Sequence, residues 1–279
     1  MLNKKQFYFM AGLPRSGSTL ISSVLNQNPD IYSSANSPMC GMLFNLERSI
    51  LASEQYSAYP KPAVMPNTIM GVLEGYYSDT NKPIIIDKSR EWSMPEHFVV
   101  LQRNLGYEPK IILPVRGITD ILASFISLVK KNPNKNNFID SEIQTRQEFN
   151  FYRPADDIRC DSLMRPKGII DNCLYGIAFA MHPDNRKYFH FVEYDDLIVN
   201  PEKEINKIYD FYGIERFTHN YSNIANNIKE DDNVYGLIGQ HDVRSSISRR
   251  NINKQELLSE YVMNKYSNQE FWRGRDKNA

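Results

Sequence analysis

Apolar residues along this chain fall into two kinds of run. Short unbroken runs at residues 6–11, Ile84-Ile85-Ile86, Ile111-Ile112-Leu113-Pro114-Val115 and Tyr188 to Tyr194 read as buried strands. Between them, apolar positions recur at helical spacing from Leu20 to Leu25, Asn67 to Tyr77, Pro95 to Leu105, Ile118 to Val129 and Pro201 to Tyr212. In the last segment Ile205, Ile208 and Phe211-Tyr212 form the stripe, Pro201 suits a first helical turn, and Gly213 is a natural stop. Strands alternating with helices predict an α/β fold, a central parallel β-sheet flanked by helices. Two stretches break the pattern. Lys130 to Pro166 is polar, with a short helix expected near Ser141 to Phe149, and its length suggests a lid or an acceptor-side insertion. Asn223 to Arg250 is polar and without period. No repeat or linker divides the chain, so residues 1–279 are expected to form a single domain.

The first strand runs into Gly12-Leu-Pro-Arg-Ser-Gly-Ser-Thr-Leu20, and a helix follows. A strand, a glycine-bounded turn and a helix start make an anion cradle, because the first-turn N–H groups lack helical partners and the helix dipole adds positive charge. Gly12 and Gly17 have P-loop spacing, yet position 18, where an ATP-binding loop needs Lys, is Ser. The cation of this loop is Arg15. The expectation is a phosphate cradle that does not work as an ATPase does.

Composition narrows the classes. Formal net charge is zero, which argues against a nucleic-acid partner held by bulk electrostatics. The 17 Tyr and 14 Phe allow a sizeable core. Cys40, Cys160 and Cys173 match neither a zinc site nor a disulfide framework. No run is long enough to span a membrane, and the N-terminal residues lack a signal-peptide pattern, so a cytoplasmic protein is expected.

Three further segments carry candidate chemistry. Arg116 follows the strand at 111–115, at the carboxyl end where open parallel sheets bind ligands, and Ser124 lies eight residues on in the next helix. A guanidinium and a hydroxyl can grip one phosphate. Ile84-Ile85-Ile86-Asp87-Lys88 resembles a Walker B strand, but the adjoining Lys88 suits an anionic substrate better than a metal ion. Phe191 to Leu197, with Tyr194 at a strand end, leads into the helix from Pro201.

Together these four pieces resemble the sulfotransferases that use 3′-phosphoadenosine-5′-phosphosulfate (PAPS). Pro14-Arg15-Ser16-Gly17-Ser18-Thr19 is similar to that family's 5′-phosphosulfate loop, closest to the tyrosylprotein and bacterial types. Arg116 and Ser124 match its 3′-phosphate pair in type and spacing, and Asp87-Lys88 resembles the Lys segment of the tyrosylprotein enzymes. Tyr194-Asp195-Asp196-Leu197, Pro201 and Phe211-Tyr212-Gly213 match its later pattern, so order and spacing agree from about residue 6 to 213. The resemblance implies a fold related to nucleotide kinases. It implies transfer of a sulfuryl group from PAPS to a hydroxyl or amine, releasing adenosine 3′,5′-bisphosphate. Arg15 and Lys88 would be the catalytic cations. Pro14 and Ser16 to Thr19 would hold the 5′-phosphate, and Tyr194 would lie near the adenine. No metal would be required. Arg244, in the basic segment 236–250, would close over the 3′-phosphate.

Asn36 stands where tyrosylprotein-type enzymes carry a Glu general base, and Asn cannot serve as one. Glu47, Glu91, His97 and a His241-Asp242 pair are the remaining candidates. A P-loop kinase or nucleotide hydrolase and a non-catalytic nucleotide-binding module stay open as alternatives. The acceptor, whether small molecule, sugar or peptide, is not encoded in any readable motif; residues 37–80 and 130–166 are expected to shape its pocket. A homodimer is the common default for oligomeric state.

Overall fold

In the computed structural model, residues 5–133, 136–146, 152–248 and 252–274 are described. The chain opens with β1 (Gln6–Met10), α1 (Ser18–Leu25) and β2 (Ile31–Asn36). Three helices follow, α2 (Met39–Leu51), α3 (Glu54–Ala58) and α4 (Met65–Tyr76), and lead to β3 (Ile84–Lys88) and α5 (Pro95–Asn104). Next come β4 (Ile111–Val115) and the helices α6 (Ile118–Lys131), α7 (Phe138–Thr145), α8 (Ala155–Met164) and α9 (Ile169–Ala180). The chain continues through β5 (Phe189–Glu193), α10 (Tyr194–Val199), α11 (Pro201–Tyr212), α12 (Lys254–Leu257) and α13 (Glu260–Tyr266).

The five strands form one parallel sheet in the order β2-β3-β1-β4-β5. Alternate residues serve opposite faces. Phe7, Phe9, Ile85, Ile111 and Leu113 pack toward α2, α4 and α5. Tyr8, Met10, Ile86, Ile112 and Val192 pack toward α1 and α11. A third apolar cluster joins α6 to α7, α8, α9 and α13.

Register sets the ends of the strands side by side. Met10 and Asn36 both pair with Lys88, and Val115 pairs with Glu193. The residues that leave these strands, Arg116 and Tyr194, therefore emerge as neighbours at the carboxyl edge.

The strand expectations hold, and β2 adds a fifth strand that the apolar pattern did not mark. Its inward Ser33 is fully buried yet satisfied: the Ser33 hydroxyl donates to Ser22 Oγ at 2.9 Å, and Asn26 bonds the Ser33 backbone. The described residues of Lys130 to Pro166 include α7 and α8, where one helix was expected. Ile139, Ile143, Ile158, Cys160 and Leu163 are buried against α6, so the described part of this stretch packs as core. Of the helix expected at 141–149, residues 147–149 lie outside the described residues.

Among the described residues, no helix is long and apolar enough to cross a membrane. Cys40, Cys160 and Cys173 are buried free thiols.

Candidate active site

The loop after β1 is shaped by backbone that most side chains avoid. Gly12 has φ +93°, and a Cβ there would lie 2.4 Å from the Pro114 carbonyl oxygen, so the loop leaves the sheet pressed against β4. Gly17, the N-cap of α1, has φ +90°, and a Cβ there would lie 2.9 Å from Tyr194 Cδ2. Arg15 adopts φ +58°, left-handed backbone without the excuse of being glycine. That conformation turns its side chain toward α6, where Arg15 Nε donates to Ser124 Oγ at 3.2 Å. Arg15 also donates to the Gln240 carbonyl oxygen.

Arg116 completes this side. Its guanidinium donates to the Arg15 carbonyl oxygen at 3.1 Å and lies 4.4 Å from the centre of the Tyr194 ring. Pro14, Arg15, Gly17, Ser18, Thr19, Arg116, Tyr194 and Arg244 all line one cleft. Ser16 and Ser124 are placed differently. Ser16 is fully buried with its hydroxyl donating to the Leu13 carbonyl, and Ser124 is buried with its hydroxyl turned to Arg15. Arg244 is exposed at the rim, where it donates to Ser248 Oγ at 3.1 Å. Arg249 and Arg250 lie outside the described residues.

The other side of the cleft is built from β2, β3 and a late loop. Asp87 and Lys88 point to opposite faces of β3. Asp87 is fully buried and accepts hydrogen bonds from Ser37 Oγ at 2.6 Å, Trp92 Nε1 at 2.6 Å and the Tyr77 hydroxyl. Burial pushes its carboxyl up, and these three donors offset part of the effect. It ties the sheet to α4, in place of the Walker B role its sequence suggested. Lys88, on the other face, is buried and is not among the residues that line the cleft; its ammonium lies 3.2 Å from Glu230 Oε1. Glu230 also accepts from Asn36, from the backbone N–H at 3.2 Å and from the side-chain amide at 3.0 Å. Burial alone would raise the Glu230 carboxyl; the Lys88 and His241 charges and the Asn36 bonds outweigh it and hold the group below its ordinary value. So a carboxylate does stand at position 36, but it is brought there by residue 230.

His241 lies beside this pair. Its carboxylate partner is Asp232 and not the adjacent Asp242: His241 Nδ1 is 2.6 Å from Asp232 Oδ1, and the His241 backbone N–H donates to Asp232 Oδ2 at 3.2 Å. Adjacent side chains diverge, whereas a short loop can fold an aspartate back onto the ring. His241 Nε2 faces the side-chain amide nitrogens of Gln240 and Asn36 at 3.4 and 3.5 Å and the Glu230 Oε2 at 3.5 Å. The nearer carboxylate, Asp232 at 2.6 Å from Nδ1 against Glu230 at 3.5 Å from Nε2, favours the neutral tautomer that carries its proton on Nδ1. Burial, the largest influence, keeps the imidazole below its ordinary value despite the neighbouring carboxylates.

Two of the other candidate bases, Glu47 and His97, are engaged away from the cleft. Glu47 is buried and accepts from Asn104 at 2.8 Å. His97 Nδ1 lies 3.1 Å from the Glu91 carbonyl oxygen, and its ring packs edge-on against Phe44. Cys40, Glu91 and His97 bring a thiol, a carboxylate and an imidazole within 4.8 Å of one another. A second cavity adjoins the cleft and is lined by residues of the β2 and β3 ends and of α9, with Ser37, Glu91, Met94 and Asn172 among them. None of the described residues between 130 and 166 lines it. Sequence reasoning missed Glu230, Asp232 and Gln240 because they reach the site on a loop with no period; the acidic run Glu230-Asp231-Asp232 was the one available signal.

The sequence model of the sulfotransferase family matches residues 8–219, more than half of the chain. Among solved structures, the chain is similar to the sulfotransferase domain from the curacin biosynthetic pathway (16% identity, 94% of this chain and 90% of that one, TM-score 0.48). It is similar also to the sulfotransferase domain from the Synechococcus PCC 7002 olefin synthase (16% identity, 95% and 88% coverage, TM-score 0.46). The sulfotransferase from Alicyclobacillus acidocaldarius is a third (16% identity, 83% and 88% coverage, TM-score 0.46). A comparison with curated protein sequences finds no match.

Proposed function

The chain belongs to the sulfotransferase family, and from that premise we propose that it moves a sulfuryl group from PAPS to a hydroxyl or amine acceptor, releasing adenosine 3′,5′-bisphosphate. The observation that carries the reading is the convergence of Arg15 and Arg116 on one loop, each bonded to the next strand–helix unit or to the loop itself. Two fixed guanidinium groups on one cradle suit a nucleotide with phosphate at both its 5′ and 3′ positions.

In this reading the N–H groups of Gly17, Ser18 and Thr19, with Pro14 and Ser16 shaping the turn, hold the 5′-phosphate. Arg116 and the Ser124 hydroxyl, which keeps a proton to donate, hold the 3′-phosphate, and Arg244 closes over it. Tyr194 braces Arg116 and borders the base. As the sulfur–oxygen bond to the nucleotide breaks, the bond electrons pass to the bridging oxygen, and Arg15 stabilises that charge by hydrogen bonding more in the transition state than before it. Lys88 adds a second positive charge, shared with Glu230. His241, gripped by Asp232, takes the proton of the attacking acceptor through Nε2. None of these roles calls for a metal ion, and the Asp87 carboxylate is occupied by protein donors.

The test is calorimetry of the whole chain with PAPS, adenosine 3′,5′-bisphosphate, and ATP with magnesium. Tight binding of the first two and weak binding of ATP is the expected result. Preference for ATP with magnesium would replace the reading with a kinase or nucleotide hydrolase. Binding without any sulfated product across a broad acceptor panel would leave a non-catalytic module.

A further inference from the structure

Two cavities meet at the carboxyl edge of the sheet, and Asn36 and Arg90 are the residues that line both. One cavity contains the phosphate loop; the other contains no part of it. A group passing from a donor held in the first to an acceptor held in the second must cross the boundary those two side chains mark. Asn36 is engaged there with Glu230. Arg90 is not engaged: among the described residues its guanidinium makes no hydrogen bond or ion pair, and the neighbouring Glu91 is exposed without pairing to it.

The surroundings of Arg90 give it a reason to want an anion. It lies near enough to Lys88 for the two positive charges to repel. The carboxylate that pairs with Lys88 is Glu230, whose two oxygens are already shared among Lys88, Asn36 and His241. Arg15 and Arg116, by contrast, are tied to loop carbonyls and to Ser124 or Tyr194. A planar guanidinium with five donors is suited to grip two oxygens of one tetrahedral anion.

The geometry points to Arg90 as the residue that holds the sulfonyl oxygens while the group is in transit between the two cavities. The inference rests on the sulfotransferase reading above. In the step, the bond between sulfur and the phosphate oxygen breaks and its electron pair stays on the departing adenosine 3′,5′-bisphosphate. The new bond forms between sulfur and the acceptor oxygen or nitrogen, whose proton goes to His241. The three terminal oxygens stay on sulfur throughout, and Arg90 spans two of them. Arg90 thereby acts on the sulfonate and not on the nucleotide that carries it.

That distinction supplies the test. Wild type, Arg90→Gln and Arg90→Lys are titrated with PAPS and with adenosine 3′,5′-bisphosphate by calorimetry, and circular dichroism checks each fold. Arg90→Gln is expected to weaken PAPS about tenfold or more, as for loss of charged hydrogen bonds, and to leave adenosine 3′,5′-bisphosphate within about twofold. Arg90→Lys is expected to recover part of the loss. Equal weakening of both nucleotides, or no change in either, overturns the assignment of Arg90 while leaving the PAPS reading intact. A wild-type chain that binds neither nucleotide overturns both.

Discussion

Lys88 and Glu230 form an ion pair at 3.2 Å with side chains only 3% and 9% exposed, across 142 positions of sequence. Two charges removed from water at the end of a strand are costly unless each satisfies the other. Removing one should cost more than removing both. Glu230→Gln or Lys88→Met alone is expected to destabilise the fold by about 3–5 kcal/mol, and the double variant by much less. Denaturant unfolding of the four proteins measures the cycle; additive losses would contradict the coupling.

The same pair sets a pH dependence. The folded Glu230 carboxyl titrates below its ordinary value, so its stabilising contribution is present above the unfolded value of about 4.3 and is lost as pH falls through the folded one. Burial lowers the Lys88 ammonium, so folding disfavours its charged form, and that burden lifts only as pH rises past the folded value toward the unfolded one near about 10.4. Thermal melts from pH 7 down to pH 3 should show a loss of stability on the acid side that Glu230→Gln blunts.

Gly12 and Gly17 should fail in different ways. At Gly12 a Cβ meets the Pro114 backbone, which cannot yield, so Gly12→Ala is expected to lower the melting temperature. At Gly17 the Cβ meets the Tyr194 ring, which rests on Arg116. Gly17→Ala should therefore weaken adenosine 3′,5′-bisphosphate more than it weakens the fold, as calorimetry and melting on the same samples will tell.

Turnover should depend on Arg15 by about 10²–10³-fold, the usual effect of removing one charge-stabilising donor. Arg15→Ala should fold normally by circular dichroism and bind adenosine 3′,5′-bisphosphate. Activity within a few-fold of wild type, measured with labelled PAPS and any acceptor found in a metabolite screen, would exclude the role.

His241 predicts the shape of the rate profile. A base must be unprotonated to act, and burial lowers this imidazole from its ordinary value near 6.5. The acid limb of kcat/KM should fall below that pH, vanish in His241→Asn, and move in Asp232→Asn, which loses the group that fixes the tautomer. An unmoved limb in both variants would rule the pair out.

Much of this architecture is written in short-range pattern. Ile85, Ile111 and Val192 mark strands because buried parallel strands are apolar on both faces. Arg15, Lys88, Arg116 and Tyr194 are legible for a related reason: each sits on or just beyond a strand end, where sequence position fixes spatial position. β2 escaped because Ser33 and Ser34 are polar inside, a choice made sensible only by partners on α1 and β3. Glu230, Asp232 and Gln240 escaped because an irregular loop carries no period, and its contacts lie far off in sequence. The described helices between residues 138 and 164 looked like a lid because their apolar residues are sparse, yet Ile139, Ile143 and Leu163 are placed to meet α6.

Arg15 is also a residue at odds with its own backbone. Its φ of +58° would suit glycine better, so Arg15→Gly should melt higher than Arg15→Ala even though both lack the charge. The position thus sets durability against charge: glycine there would relax the turn and take the guanidinium out of the cleft with it.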